Sequence, residues 1–209
     1  MTWSKRAFDL CLSVLLMLVL SPVVLCLALV LLIRQGRPIF YVSERMQTNE
    51  VGFDLIKFRT MTDVATDSGV SGGDKSARIT PMGAFLRRYR LDETPQLWNI
   101  FKGDISFVGP RPPLRRYVEQ FPDLYREVLR NRPGVTGLAT VVFHRHEEAL
   151  LAPCKNSVET EAVYVTRCVP RKAKLDLIYQ DKRSFCLDLV LMMKTVVRRT
   201  PIRRSRWRA

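Results

Sequence analysis

A chain of 209 residues, 47% of them hydrophobic, has room for one domain with a real core and too little for two full-sized ones. With 34 Lys and Arg against 20 Asp and Glu, a net charge of +14 and a pI of about 10.1, its partner should be an anion: nucleic acid, an acidic membrane surface or a phosphorylated substrate. The cysteine count is 5, an odd number, and Cys11, Cys26 and Cys186 lie in apolar runs, which speaks against a disulfide framework and for a reducing compartment.

The first element is LCLSVLLMLVLSPVVLCLALVLLI, residues 10–33, without a charge. As a helix it would be roughly 36 Å long against a hydrocarbon core of about 30 Å, so it can span. No small-residue cleavage site precedes a polar start, so the segment is expected to stay attached. Ser21-Pro22 sits at its centre, where proline removes a donor and crowds the carbonyl of Leu18, predicting a kink or break. Lys5, Arg6, Arg34 and Arg37 make both flanks basic, and positive charge prefers the cytoplasmic side. A re-entrant hairpin and a single kinked span both remain open, with the basic body on the cytoplasmic face in either case.

Residues 39–42 and 51–58 are strand candidates around a polar turn at Thr48–Gly52, forming a β-hairpin with Lys57 and Arg59 at its exit. Residues 62–78 have the composition of a mobile loop. Thr80 followed by Pro81 starts a helix whose apolar face is Met82, Phe85, Leu86 and Tyr89, with Arg88 and Asp92 four apart on another face. Thr94-Pro95 resembles a second cap, opening a short helix through Asn99, so Asp92 and Glu93 fall at a helix junction. A short strand at 105–108 leads into Gly109-Pro110-Arg111-Pro112-Pro113, a stiff frame that presents Arg111. Residues 112–131 are amphipathic and broken at Pro122, with Tyr125, Val128 and Leu129 buried and Arg115, Arg116, Arg126 and Arg130 exposed. RPGVTGLATVVF, residues 132–143, reads as a glycine turn into a strand. Ser184 opens an apolar helix over 184–197, suited to a membrane interface or a core, and the basic tail after it suits lipid headgroups or nucleic acid.

Arg87, Arg88, Lys57 and Arg111 could neutralise a pyrophosphate while one carboxylate of the Asp92-Glu93 pair ligates Mg²⁺ and the other attacks phosphorus. Charge and spacing do not say which acid does which. Neither a GxxxxGK[ST] nor a GxGxxG pattern occurs. His144, His146, Cys154 and Cys168 match no zinc-finger spacing, and neither histidine is paired with a nucleophile.

KRAFDL (5–10), Ser21-Pro22, ERM (44–46), KFRTM (57–61), RITPMGAFLRRYRLDETPQLWNIFKGDISFVGPRP (78–112), RPGVTGL (132–138) and KAKLDLIYQDKRSFCLDLVLMMKTV (172–196) run in order along the chain. With these marks the sequence closely resembles the monotopic polyprenyl-phosphate phosphoglycosyl transferases, bacterial sugar transferases, in the small form of little beyond the catalytic domain. The resemblance implies an α+β monotopic membrane protein: a re-entrant helical hairpin over 1–36 broken at Ser21-Pro22, a cytoplasmic catalytic domain over 37–197 with amphipathic interfacial helices and a small β-hairpin, and a basic tail over 198–209. It implies an Asp92-Glu93 dyad in which Asp92 is nucleophile on a UDP-sugar and contributes to Mg²⁺ while Glu93 supports, with Lys57, Arg87 and Arg111 near the phosphates. The products would be UMP and, once undecaprenyl or another polyprenyl phosphate has attacked the phosphosugar on Asp92, polyprenyl-diphosphate-sugar, the first membrane step of glycoconjugate or exopolysaccharide assembly at the bacterial inner membrane.

Two departures stand out: Thr140 replaces the family's usual Gln, and VVFHRHEE replaces its usual Asn-Gly-Arg. Segment 139–170 therefore leaves the sugar open. A membrane-tethered basic scaffold or nucleic-acid-binding protein and a lipid-phosphate phosphatase are the alternatives; with the resemblance, anionic phospholipid and not nucleic acid is the expected surface partner. A homodimer is compatible with such a protein, though no pattern specifies one.

Overall fold

The computed structural model describes residues 2–62 and 78–197, so the loop expected over 62–78 and the basic tail over 198–209 lie largely or wholly outside the described residues. Helix α1, Trp3–Gln35, is capped by Thr2, whose hydroxyl accepts from the Lys5 N–H, and runs through Pro22 without losing helical backbone. The expected break is therefore not an interruption of the helix. Pro22 has no N–H to offer the Leu18 carbonyl, and the Ser21 hydroxyl takes that place, donating to it at 2.8 Å. This is the helix among the described residues that is long and apolar enough to cross a membrane.

Both ends of α1 are held by one body. At the start, Lys5 pairs with Asp188, Arg6 donates to the carbonyls of Ile100 and Phe101, and Asp9 accepts from Ser106. At the finish, Leu31 is buried with Phe58 and Leu86, Gln35 donates to Thr80, and Arg59 donates to the carbonyls of Gln35 and Gly36. The middle turns outward, with Leu18 70% and Val19 60% exposed.

Strands β1, Phe40–Met46, and β2, Gly52–Phe58, form the expected antiparallel hairpin, with Tyr41 opposite Lys57 and Arg45 opposite Phe53. Helix α2, Pro81–Tyr89, starts as expected, the Thr80 hydroxyl accepting from the Gly83 N–H at 2.9 Å. A Cβ on Gly83 would lie 2.0 Å from the Thr60 carbonyl oxygen, so only glycine lets α2 lie this close to the strand exit.

The helix ends at Tyr89, where Arg90 takes a left-handed conformation with φ 56°. Helical spacing from Arg88 consequently does not carry on to Asp92. A tight 3₁₀ turn, Leu91–Glu93, flows into α3, Gln96–Lys102. Thr94 is not a side-chain cap: its backbone is already right-handed helical and its hydroxyl donates back to Leu91 at 2.8 Å, so no extended cap residue is needed.

Strand β3, Ser106–Val108, pairs in parallel with β4, Gly134–Thr136. Gly109, Gly134 and Gly137 pack backbone on backbone there, a Cβ on any of them falling within 2.3 Å of a main-chain atom of the crossing segment. Between the strands lie α4, Arg115–Gln120, and α5, Pro122–Val128, which bury Tyr125 and Val128 as expected. The strand expected over 132–143 stops at Thr136. From Leu138 the chain is α6, Leu138–Leu151: Val141 and Val142 favour a strand locally, but a helix buries Leu138, Ala139, Phe143 and Leu151 on one side. Helix α7, Ser157–Val163, a π-helical turn, Tyr164–Cys168, and α8, Val169–Lys182, follow. Helix α9, Phe185–Val196, opens at Ser184, whose hydroxyl accepts from Leu187 N–H, and α8 and α9 bury Tyr179 and Leu191 against Val108 and Leu138.

Candidate active site

A cavity of 810 Å³ opens where β1, β2, α2, the 3₁₀ turn, the Arg111 segment, α6 and α8 meet. Asp92, Glu93, Lys57, Arg87, Arg88 and Arg111 all line it, so residues spread over more than fifty positions of sequence converge as their chemistry suggested. Ser21 and Pro22 stand apart, in the outward middle of α1.

The two acids are treated differently. Glu93 is clamped: Arg90 donates to its Oε2 from Nε at 3.1 Å and Nη2 at 2.5 Å, and Arg111 Nη2 donates to its Oε1 at 3.3 Å. Burial works to raise its pKa, but the guanidiniums of Arg111 and Arg90 outweigh burial and hold it below the ordinary glutamate value. Asp92 engages in no ion pair among the described residues, and burial, with the Glu93 charge beside it, raises its pKa, Lys57 and Arg87 opposing. One carboxylate is thus committed to its frame, the other presented to the cavity.

The cations line the same cavity. Burial, then the charges of Arg111, Arg45 and Arg87, bring Lys57 down to about 8, and its ammonium lies 5.0 Å from the Tyr41 ring across the hairpin. Arg87 Nε donates to the buried Thr60 hydroxyl at 2.9 Å, an anchor that depends on the close approach at Gly83. Arg88 lines the same cavity with its guanidinium 5.8 Å from the Tyr89 ring. Arg111 keeps 45% of its side chain exposed while bonded to Glu93, whose charge raises its pKa.

Arg45 and Arg90 were not singled out from sequence. Arg45 lines the cavity, brought down to about 10 by burial and then by Arg111. Its signal was available: Tyr41, Ser43 and Arg45 alternate onto the hairpin face that carries Lys57. Arg90 sits three residues before Glu93, but only the left-handed backbone at 90 folds it back onto that carboxylate. A cluster of cations with so few acids beside them suits an anionic ligand.

Among the described residues no group of three or more His, Cys, Asp or Glu could cage a metal. Asp92, left outside the clamp on Glu93, could serve a hard cation that shares its coordination with substrate phosphates and water, the usual manner of Mg²⁺.

Residues 1–200 match the family described as bacterial sugar transferase. The chain is 33% identical over 192 residues to the sugar transferase EpsL of Bacillus subtilis, covering 92% of this chain and 85% of that protein. It is 33% identical over 198 residues to the UDP-N-acetylgalactosamine-undecaprenyl-phosphate N-acetylgalactosaminephosphotransferase of Aeromonas hydrophila and 34% over 203 residues to the undecaprenyl-phosphate glucose phosphotransferase of Komagataeibacter xylinus. Those matches cover 42% and 35% of the two longer proteins. With a match along nearly its whole length and the basic cavity and acidic pair assembled within it, the chain belongs to the bacterial sugar transferase family.

Proposed function

We propose that this protein transfers a phosphosugar from a UDP-sugar to polyprenyl phosphate, giving polyprenyl-diphosphate-sugar and UMP through a covalent intermediate on Asp92. The observation that carries the proposal is the asymmetry of the acids: Glu93 held by Arg90 and Arg111, Asp92 in a cationic cavity with no ion pair among the described residues. The names of the Aeromonas and Komagataeibacter relatives, both undecaprenyl-phosphate sugar-phosphate transferases, support the substrate class.

An Asp92 oxygen attacks the β-phosphorus of the donor; the bond from that phosphorus to the bridging oxygen breaks and UMP leaves with both electrons. An oxygen of the lipid phosphate then attacks the acyl phosphate, restoring the carboxylate. Arg45, Lys57, Arg87 and Arg111 offset the repulsion between an anionic nucleophile and a diphosphate, while Glu93 holds Arg90 and Arg111 in place. Asp92 would contribute to Mg²⁺, which supplies charge neutralisation on the phosphate oxygens.

A lipid acceptor and a water-borne donor must meet at the bilayer surface. The two docked ends of α1 support a re-entrant, monotopic insertion at the inner membrane, since each end is fixed to the same body and the apolar middle is left outward. The exposed Phe85, Tyr89, Trp98, Phe101, Val190 and Met193 on α2, α3 and α9 suit the headgroup boundary, facing anionic phospholipid, with the catalytic body cytoplasmic.

The test is UMP release from a panel of UDP-sugars by purified protein with Mg²⁺ and polyprenyl phosphate. D92N should abolish release, and a phosphosugar trapped on the wild type should map to Asp92. Release that survives D92N, or a label on another residue, would end the mechanism.

A further inference from the structure

The cavity continues beyond the phosphate wall to a second polar surface that the chemistry at Asp92 does not use. Thr140, His144, Glu147 and Glu148 line it from a single face of α6, at three- and four-residue spacing. Opposite them Lys172 of α8 donates to Glu147 Oε1 at 2.9 Å and to the Tyr164 hydroxyl at 3.2 Å. Tyr164 reaches this place from the π-helical turn, a distortion that helices often carry at functional sites. Asp176, only 7% exposed and also in the cavity wall, has its Oδ1 buried without a partner among the described residues. A buried acceptor left unmatched beside a cavity is costly unless a ligand or water completes it.

We propose that Glu147, Tyr164, Lys172 and Asp176 form the wall that reads the hydroxyl groups of the donor's sugar. The inference rests on the transferase reading above and extends it. Its position follows from the shared cavity: Arg111, which bonds Glu93, lines it together with Asp92 on one side and Glu147, Tyr164, Lys172 and Asp176 on the other, so a donor whose phosphates sit at Asp92 extends toward this wall. Its chemistry fits a polyol: the Glu147 carboxylate accepts from hydroxyls and Asp176, pushed up to about 7 by burial, can accept or donate, whereas a uracil ring offers a single N3–H donor between two carbonyls. Lys172 adds donors for ring or hydroxyl oxygens, and the Tyr164 ring adds an apolar edge.

The experiment compares wild type, D176N and E147Q over UDP-glucose, UDP-galactose and their two N-acetylated counterparts, alongside inhibition by UMP. Both substitutions keep the size of the side chain, and thermal melting of both separates misfolding from lost recognition. The expected result is a change of about ten-fold or more in the ratio of kcat/KM between epimeric donors, the size of one hydrogen bond to a charged group, with the UMP inhibition constant unchanged. An equal loss on every donor, or UMP inhibition weakened in parallel, overturns the proposal, the latter by assigning the wall to the nucleoside. If wild type transfers no sugar at all, the transferase reading falls separately. Calorimetric binding of UDP-sugar against UDP then still decides the wall: an affinity gap that D176N and E147Q close supports it, and no gap overturns it.

Discussion

Asp92 and Glu93 are chemical near-twins one residue apart, and the fold gives them opposite states. The difference comes from guanidiniums: Arg90 and Arg111 surround one carboxylate, while the other meets burial and its neighbour's negative charge. The same burial weakens Lys57 as a base, bringing it to about 8. A pH profile follows with determinate signs. Asp92 is neutral below its raised pKa and ionised above it, so the acid limb of kcat/KM should lie above the ordinary aspartate range. Lys57 is charged below about 8 and neutral above, so kcat/KM should decline as pH rises through about 8. K57R retains charge throughout and should flatten the alkaline limb; an unchanged limb in K57R assigns it to another group. R45A should raise the KM for UDP-sugar about ten-fold or more, because it removes a desolvated cation from the cavity wall, and steady-state kinetics with a soluble donor would measure it.

At the scale of elements, the turn carrying the dyad is positioned by backbone proximity. G83A would bring a methyl group to 2.0 Å from the Thr60 oxygen, pushing α2 outward and pulling Arg87 from the Thr60 hydroxyl. The expected cost is about 1–3 kcal/mol of stability, read by thermal melting in detergent, with transfer falling by a larger factor than melting alone accounts for. Ser21 presents the complementary case within α1. S21A removes the donor to the Leu18 carbonyl in the apolar middle of the helix, and it should destabilise the membrane-bound protein by about 1–3 kcal/mol, whereas S21T should be tolerated. Proteoliposome unfolding assays would check the pair.

For the whole molecule, a latch joins the start of α1 to the far end of the chain. Lys5 Nζ lies 2.5 Å from Asp188, Asp188 accepts from the Tyr179 hydroxyl at 2.6 Å, and Asp9 accepts from Ser106 at 2.7 Å. K5M leaves two low-exposure carboxylates without their cation, which costs about 3–5 kcal/mol when a buried pair is broken on one side. Differential scanning calorimetry in detergent should show a fall of about ten degrees in melting temperature, and a shift within one or two degrees would mean the latch is solvated.

How much of this was legible follows from the range of each cause. Apolar composition announced α1, a threonine followed by proline announced α2, and two short strand candidates around a polar turn announced the hairpin, because each depends on neighbours a few residues away. The same local logic failed at Leu138–Leu151, where β-branched residues favour a strand and only burial against α8 and α9 selects a helix. It also failed at Arg45 and Arg90, whose roles depend on a hairpin face and a left-handed residue.

Sequence alone determined an apolar anchor, a basic body and an acidic couplet set among arginines, since charge and hydropathy are carried by residue identity. Tertiary structure alone decided which carboxylate is clamped and which cations face it. It also decided that α6 and α8 would extend the cavity with Asp176 unmatched in its wall, because electrostatic environment and cavity shape arise only when segments distant in the chain are packed together.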